Sequence, residues 1–132
     1  MRIILIFICL AGLFIGTCSE GVQPILTDFQ IHFMLSPEPT WSDFWKVYTF
    51  HSKIFIIHKI GHFSGFFILS LLMTDFGRDR KGLLWAIGYG VLTELIQPFF
   101  DRDARVLDML INTAGVYLAY YLSSEIKSLR KK

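Results

Sequence analysis

Four long apolar blocks organise the chain: residues 3–17, 54–73, 83–100 and 106–122. The first holds no charged residue. The strongly polar residues of the second are His58, Lys59 and His62. Those of the third are Glu94 and Gln97, and those of the fourth Asp108 and Asn112. A hydrocarbon core about 30 Å thick takes roughly 20 apolar residues as helix. The pattern therefore predicts an all-α fold: a small polytopic membrane helix bundle with four transmembrane helices, in one domain over residues 1–132. The first block also fits a second reading. Arg2, an apolar run and the small residues Gly16, Thr17, Cys18 and Ser19 look like a signal peptide, although Thr17 before the cysteine suits a lipoprotein cleavage site poorly.

Residues 23–53 break the pattern with Pro24, Pro37, Pro39 and scattered charge. Pro-Glu-Pro at 37–39 interrupts any helix. Thr40, with Asp43 three residues on, resembles a capping box with Asp in place of Glu or Gln. Trp41, Phe44, Trp45 and Tyr48 then recur at i, i+3, i+4 and i+7, on one helical face. The expectation is a longer first outer loop carrying an aromatic helix. That helix either lies at the lipid–water boundary or packs its aromatic face on the bundle.

Composition agrees with a lipid environment. The 132 residues are 53% hydrophobic and 18% charged, with mean hydropathy +0.49. An ordinary soluble domain carries about 25% charged residues. So much apolar surface excludes a disordered chain. A net charge of +2 holds little nucleic acid, so no such partner is expected. Cys9 and Cys18 cannot make a disulfide framework and read as membrane-buried thiols.

Lys and Arg favour cytoplasmic loops. With the N-terminus inside, the inner segments carry Arg2, Arg78, Arg80, Lys81, Lys127, Arg130, Lys131 and Lys132. The outer ones carry Lys46, Lys53, Arg102 and Arg105. This two-to-one bias predicts a multi-pass protein of the cell membrane with both termini cytoplasmic. The basic tail 127–132 reads as a topology anchor that also reaches anionic lipid.

Only Lys59, Glu94 and Asp108, among the Lys, Arg, Asp and Glu residues, lie inside the blocks. In the alternating topology all three fall in the outer half. At about 1.5 Å per residue, Glu94 lies roughly 9 Å inside Phe100, Lys59 roughly 8 Å inside Ile54 and Asp108 about 3 Å inside Val106. His62 (i+3 from Lys59), Gln97 (i+3 from Glu94) and Asn112 (i+4 from Asp108) share faces with them, and Arg102 lies in the short outer loop. Intramembrane charge is costly and marks functional sites by default. Pairs such as Lys59–Glu94 or Arg102–Asp108 offset that cost, and Gly61 with Gly65 allows close helix approach. The alternative is that such pairs only fix helix order.

The ordered set is similar to the VanZ family. The resemblance rests on Lys59-x-x-His62-x-x-x-Phe66, on Glu94-x-x-Gln97, and on Arg102, Asp108, Asn112 and Gly115, with 108–115 the closest stretch. It covers the motif-bearing part, about 54–122. Phe66 stands where Tyr is usual, His58 where Asp is common, and Arg105 lies in a stretch that often includes Ser. The resemblance implies a small bacterial multi-pass membrane protein of the cell envelope. For some members it implies a link to glycopeptide resistance, teicoplanin especially.

Three functions remain open. In the first, Lys59, His62, Glu94, Gln97, Arg102, Asp108 and Asn112 bind a cell-envelope lipid or a lipid-linked cell-wall precursor head group at the outer leaflet. In the second, an intramembrane enzyme uses His62 as base and Glu94 as acid. The layer holds no Ser or Cys nucleophile and no standard zinc spacing, so the sequence leans against an enzyme and implies neither metal nor cofactor. In the third, the protein is a structural or regulatory membrane partner without a ligand. An ion pathway is disfavoured, because nothing comparable continues inward through 66–73 or 84–91. Oligomeric state is not legible.

Overall fold

The computed structural model describes residues 1–19, 30–46 and 53–130. Among these there are four α-helices, one 3-10 turn and no strand. The helices are α1 (Arg2–Cys18), α2 (Lys53–Met73), α3 (Arg80–Ile96) and α4 (Val106–Leu129), with the 3-10 turn at Gln97–Phe100. Asp79 caps α3 by accepting a hydrogen bond from the Lys81 amide at 2.8 Å. Pro98, which lacks an N–H, sits at the start of the 3-10 turn that follows. Asp101 then reverses the chain in the left-handed region at φ 52. Asp108 lies in the first turn of α4, where the helix dipole favours a carboxylate.

Helix α4 overruns its predicted end at 122. The apolar run stops there, but nothing beyond it breaks a helix. Ser123 and Ser124 turn their hydroxyls back onto the carbonyls of Ala119 (2.7 Å) and Tyr121 (2.8 Å), so they add no exposed donor. The 24 residues of α4 span about 36 Å, against about 31 Å for the 21 residues of α2.

The helices alternate in direction. At one end Arg2 pairs with Asp75 at 2.7 Å, Arg78 reaches the same carboxylate at 3.2 Å, and Lys127 donates to the Asp75 carbonyl at 3.1 Å. The start of α1, the α2–α3 turn and the last turns of α4 therefore meet there. The Arg2 and Arg78 guanidiniums hold the Asp75 carboxyl below the usual carboxylate range. The tip of α1, the start of α2, the end of α3 and the start of α4 lie at the other end.

Two stretches are long and apolar enough to cross a membrane, Phe55–Met73 and Arg80–Phe100. Core helices of soluble proteins pass the same length test but are mostly buried, whereas only 17% and 33% of the apolar windows of these two are buried. Helix α1 is apolar but shorter, and the polar positions of α4 dilute its apolar character. The distribution of side chains is inverted relative to a soluble fold. Ile57, Ile60, Leu84, Trp85, Leu110 and Tyr117 are exposed, whereas Ser70, Thr74, Thr93, Glu94, Gln97, Asp108 and Asn112 are buried. Such extended apolar exposure is unfavourable in water and ordinary against lipid. The apolar core is small: Phe66, Leu69, Ala86 and Val116, with Leu10, Leu13 and Tyr89 packed on it.

The close helix approach occurs at only one of the two predicted glycines. A Cβ on Gly65 would meet Leu13 of α1 at 2.6 Å, whereas one on Gly61 would meet nothing within 4 Å. The tightest backbone contact between α2 and α4 is at Gly115, where a Cβ would stand 2.5 Å from the Phe63 carbonyl oxygen. Helices can approach this closely only where one of them lacks a side chain.

In the described part of the expected aromatic helix, residues 42–45 form turns. The Phe44 amide bonds the Trp41 carbonyl at 3.2 Å, and the Lys46 amide the Asp43 carbonyl at 3.1 Å. Asp43 does not form a capping box, because its carboxylate takes Lys46 (2.6 Å) and the Ser42 hydroxyl (3.1 Å). Trp41, Phe44 and Trp45 still cluster edge to face, and Trp45 is 80% exposed. Tyr48, the fourth member of that aromatic face, lies outside the described residues, as do Pro24, Lys131 and Lys132. The segment is anchored at both ends of its described part. Phe33 packs against Phe14 and Phe100, the Ser36 amide bonds the Phe99 carbonyl at 2.9 Å, and the Val106 amide bonds the Phe44 carbonyl at 3.0 Å.

Candidate functional site

The end of the bundle away from Asp75 holds a cavity of about 400 Å³. Helix α2 contributes Phe55, His58, Lys59 and His62 to its wall. The 3-10 turn contributes Gln97, and the following loop Asp101, Arg102, Asp103 and Arg105. Helix α1 supplies Thr17 and α4 supplies Asp108. Helices α1, α2 and α4 and the turn and loop that join α3 to α4 therefore meet at one polar opening.

The polar residues form two tiers. At the wall of the cavity Lys59 Nζ pairs with Asp108 Oδ1 across α2 and α4, with 12% and 7% of the two side chains exposed. The Lys59 ammonium also lies over the Phe55 ring, 4.6 Å from its centroid, a favourable position for a partly desolvated cation. One turn deeper on both helices, at about 4.5–6 Å of rise, His62 Nδ1 lies 3.2 Å from Asn112 Oδ1. The Asn112 amide N–H donates to Glu94 Oε1 of α3 at 3.2 Å, and His62 Nδ1 is 3.6 Å from that same oxygen. Glu94 is fully buried, and among the described residues its second oxygen, Oε2, has no hydrogen-bond partner of ordinary geometry.

Neither pair expected from the sequence forms. Lys59 takes Asp108 in place of Glu94, and Asp108 takes Lys59 in place of Arg102. Depth decides this. The long Lys59 side chain lies level with the first turn of α4, while Glu94 lies level with His62 and Asn112, so an amide bridges it to the imidazole. The Arg102 amide closes the turn on the Gln97 carbonyl at 3.1 Å, and Arg105 pairs with Asp103 at 2.9 Å.

Of the seven candidate residues, Lys59, His62, Gln97, Arg102 and Asp108 line the cavity. Glu94 and Asn112 do not, and reach it only through His62. Six lining residues lay outside the candidate set: Thr17, Phe55, His58, Asp101, Asp103 and Arg105. One signal pointed to three of them. The alternating acid–base stretch 101–105 joins two apolar blocks with few residues to spare, so its charges are held over the ends of both helices. Thr17 had no such signal, because nothing in the spacing says which side of α1 faces the bundle. Among the described residues no group of three or more His, Cys, Asp and Glu is placed to hold a metal ion.

A protein-family model described as VanZ/LLP1 matches residues 3–127. An uncharacterized membrane protein of Bacillus subtilis (strain 168), YwnJ, is 30% identical over 112 residues. The match covers 82% of this chain and 79% of the relative. No solved structure matches the chain. Together with the two apolar stretches long enough to cross a membrane, these similarities identify a membrane protein.

Proposed function

The chain belongs to the VanZ/LLP1 family, and from that premise we propose that it binds the head group of a cell-envelope lipid or lipid-linked cell-wall precursor. In this reading all four helices cross the membrane, both termini are cytoplasmic, and the cavity opens at the outer leaflet. The observation that carries the proposal is the cavity itself. It is a polar opening of about 400 Å³ at one end of an otherwise lipid-facing bundle, walled by residues of α1, α2 and α4 and of the turn and loop that join α3 to α4. A precursor with its tail in the bilayer and its head at the surface has the matching shape.

The charge pattern refines the ligand class. Lys59, Arg102 and Arg105 share the wall with Asp101, Asp103 and Asp108, and Lys59 and Arg105 are already paired with carboxylates. A simple anion would have to displace those pairs. A head group carrying phosphate together with sugar or peptide donors uses both signs. Glycopeptide resistance, teicoplanin especially, follows in this reading from occupancy of a precursor that such antibiotics also engage.

The test is binding of a lipid-linked precursor by the full chain in nanodiscs. We expect saturable binding that weakens about tenfold or more in Arg102→Ala, with unchanged membrane abundance; one charge-assisted contact accounts for that factor. A folded wild-type protein that binds no precursor overturns the reading. Teicoplanin susceptibility of cells with and without the protein tests the resistance arm separately.

One observation favours a second reading, an intramembrane enzyme. His62 lines the cavity and is backed by Glu94, a base-and-orienter arrangement. Turnover of the lipid-linked precursor that disappears in His62→Ala and in Glu94→Gln would establish it.

A further inference from the structure

We propose that the buried Glu94–Asn112–His62 chain locks one tautomer of His62, and that its free Nε2 accepts a hydrogen bond from an O–H or N–H of the bound head group. This rests on the head-group reading and names the ligand atom that the deepest part of the site recognises.

The inference follows from donor and acceptor bookkeeping. Glu94 Oε1 accepts a hydrogen bond from the Asn112 NH₂ at 3.2 Å, which leaves the amide oxygen on the other side. That oxygen faces His62 Nδ1 at 3.2 Å, and the Glu94 oxygen is also 3.6 Å from Nδ1. Two oxygen acceptors converge on one ring nitrogen, so Nδ1 carries the proton. In a neutral imidazole the other nitrogen then holds a lone pair, and which nitrogen is protonated follows from the partner of its twin. His62 is 19% exposed and lines the cavity, so Nε2 is the ring atom left for a ligand.

The chemistry around it gives that acceptor a purpose. Lys59, Arg102 and Arg105 supply donors and positive charge for phosphate oxygens. The acidic wall residues Asp103 and Asp108 are already held by Arg105 and Lys59. A neutral acceptor set deeper than these charges discriminates by hydrogen bonding. It favours a head group with a sugar hydroxyl or an amide N–H over one carrying phosphate alone. Asn112 and Glu94 are positioning residues, because neither lines the cavity. Glu94 is fully buried, so its carboxyl group orients the amide and does not touch the ligand.

Two measurements on the full chain in nanodiscs test the proposal. The first is the ring nitrogen spectrum of ¹⁵N-histidine protein near pH 7, with the His62 signals assigned by their loss in His62→Gln. The expected result is a protonated Nδ1 and an unprotonated Nε2. A neutral ring with the proton on Nε2, or a doubly protonated ring, overturns the tautomer lock. The second compares undecaprenyl pyrophosphate with the same lipid carrying its sugar–peptide head. Wild type is expected to prefer the sugar–peptide form by about tenfold, the scale of one good hydrogen bond. In His62→Asn, which keeps an amide donor where Nδ1 stands but has no Nε2, that ratio is expected to fall to near one. A ratio that persists in His62→Asn overturns the assigned contact. Failure of wild type to bind either lipid overturns the head-group reading itself, while the nitrogen spectrum still decides the tautomer.

Discussion

Lys59 is the residue on which the site depends most. Its charge sits 12% exposed inside a bundle whose outer surface is hydrocarbon-like, and Asp108 is its counterion. Removing one member of a buried pair leaves the other charge uncompensated, at a cost of about 3–5 kcal/mol, whereas replacing both by apolar groups is often neutral. Lys59→Met is therefore expected to lower membrane abundance and the melting temperature sharply. Lys59→Met with Asp108→Leu should recover most of the loss, and Lys59→Met with Glu94→Leu should not. Recovery with Glu94 in place of Asp108 would contradict the geometry. The same pair of doubles separates a site from helix glue. Recovered abundance without recovered precursor binding indicates a site, and recovery of both indicates glue.

These residues were legible in the sequence as a set but not as pairs. Charges interrupting an apolar block are conspicuous, and helical spacing places Lys59 with His62, and Asp108 with Asn112, on single faces. Pairing between helices depends on relative depth to within one turn, about 5 Å, and on the rotation of each helix about its axis. Neither is encoded in a spacing along one helix. The expected partner for Lys59 was therefore the wrong carboxylate.

At the scale of the helix, the glycines separate contact from mere permissiveness. Gly61 and Gly65 look equivalent in sequence, but only Gly65 faces a neighbour, the side chain of Leu13, and the closest backbone approach between α2 and α4 is at Gly115. Gly115→Ala is expected to destabilise the protein by about 1–3 kcal/mol, the usual cost of overpacking, because its Cβ meets the rigid Phe63 carbonyl at 2.5 Å. Gly61→Ala, with nothing within 4 Å, is expected to be neutral or to gain up to about 1 kcal/mol of helix propensity. Thermal unfolding in one detergent compares the two directly, and equal shifts would refute the contact map. The aromatic segment 41–46 shows a related limit. Its i, i+3, i+4 spacing suits a helix, but the Phe44 carbonyl is used by the Val106 amide and the Asp43 carboxylate by Lys46. Tertiary bonds at the bundle end outweigh a short local periodicity, because a helix of so few residues is marginal by itself.

Across the whole molecule the two ends differ in chemistry. One end gathers Arg2, Asp75, Arg78 and Lys127, and the other carries the cavity and the 101–105 loop. If both termini are cytoplasmic, an introduced thiol at Asp103→Cys should react with a membrane-impermeant maleimide on intact cells. One at Ser128→Cys should react only after permeabilisation. Both are read in a background with Cys9 and Cys18 replaced by Ala. The reverse pattern would place the cavity at the cytoplasmic leaflet and exclude an outer-leaflet precursor as its ligand.

The sequence by itself determined the helical class, the membrane character and the identity of most polar residues at the site. Each of these is a property of contiguity, since a long apolar run has few other ways to satisfy its backbone and its solvent. The family likeness was legible for the same reason, because it lies in ordered spacings along single helices. Tertiary structure alone decided which carboxylate neutralises Lys59, which glycine admits a neighbouring backbone, that Thr17 reaches the cavity, and that Asn112 stands between His62 and Glu94. Those facts depend on the rotation and depth of one helix against another. Both are set by the packing of the small core around Phe66, Leu69, Ala86 and Val116, and by the close contact at Gly115.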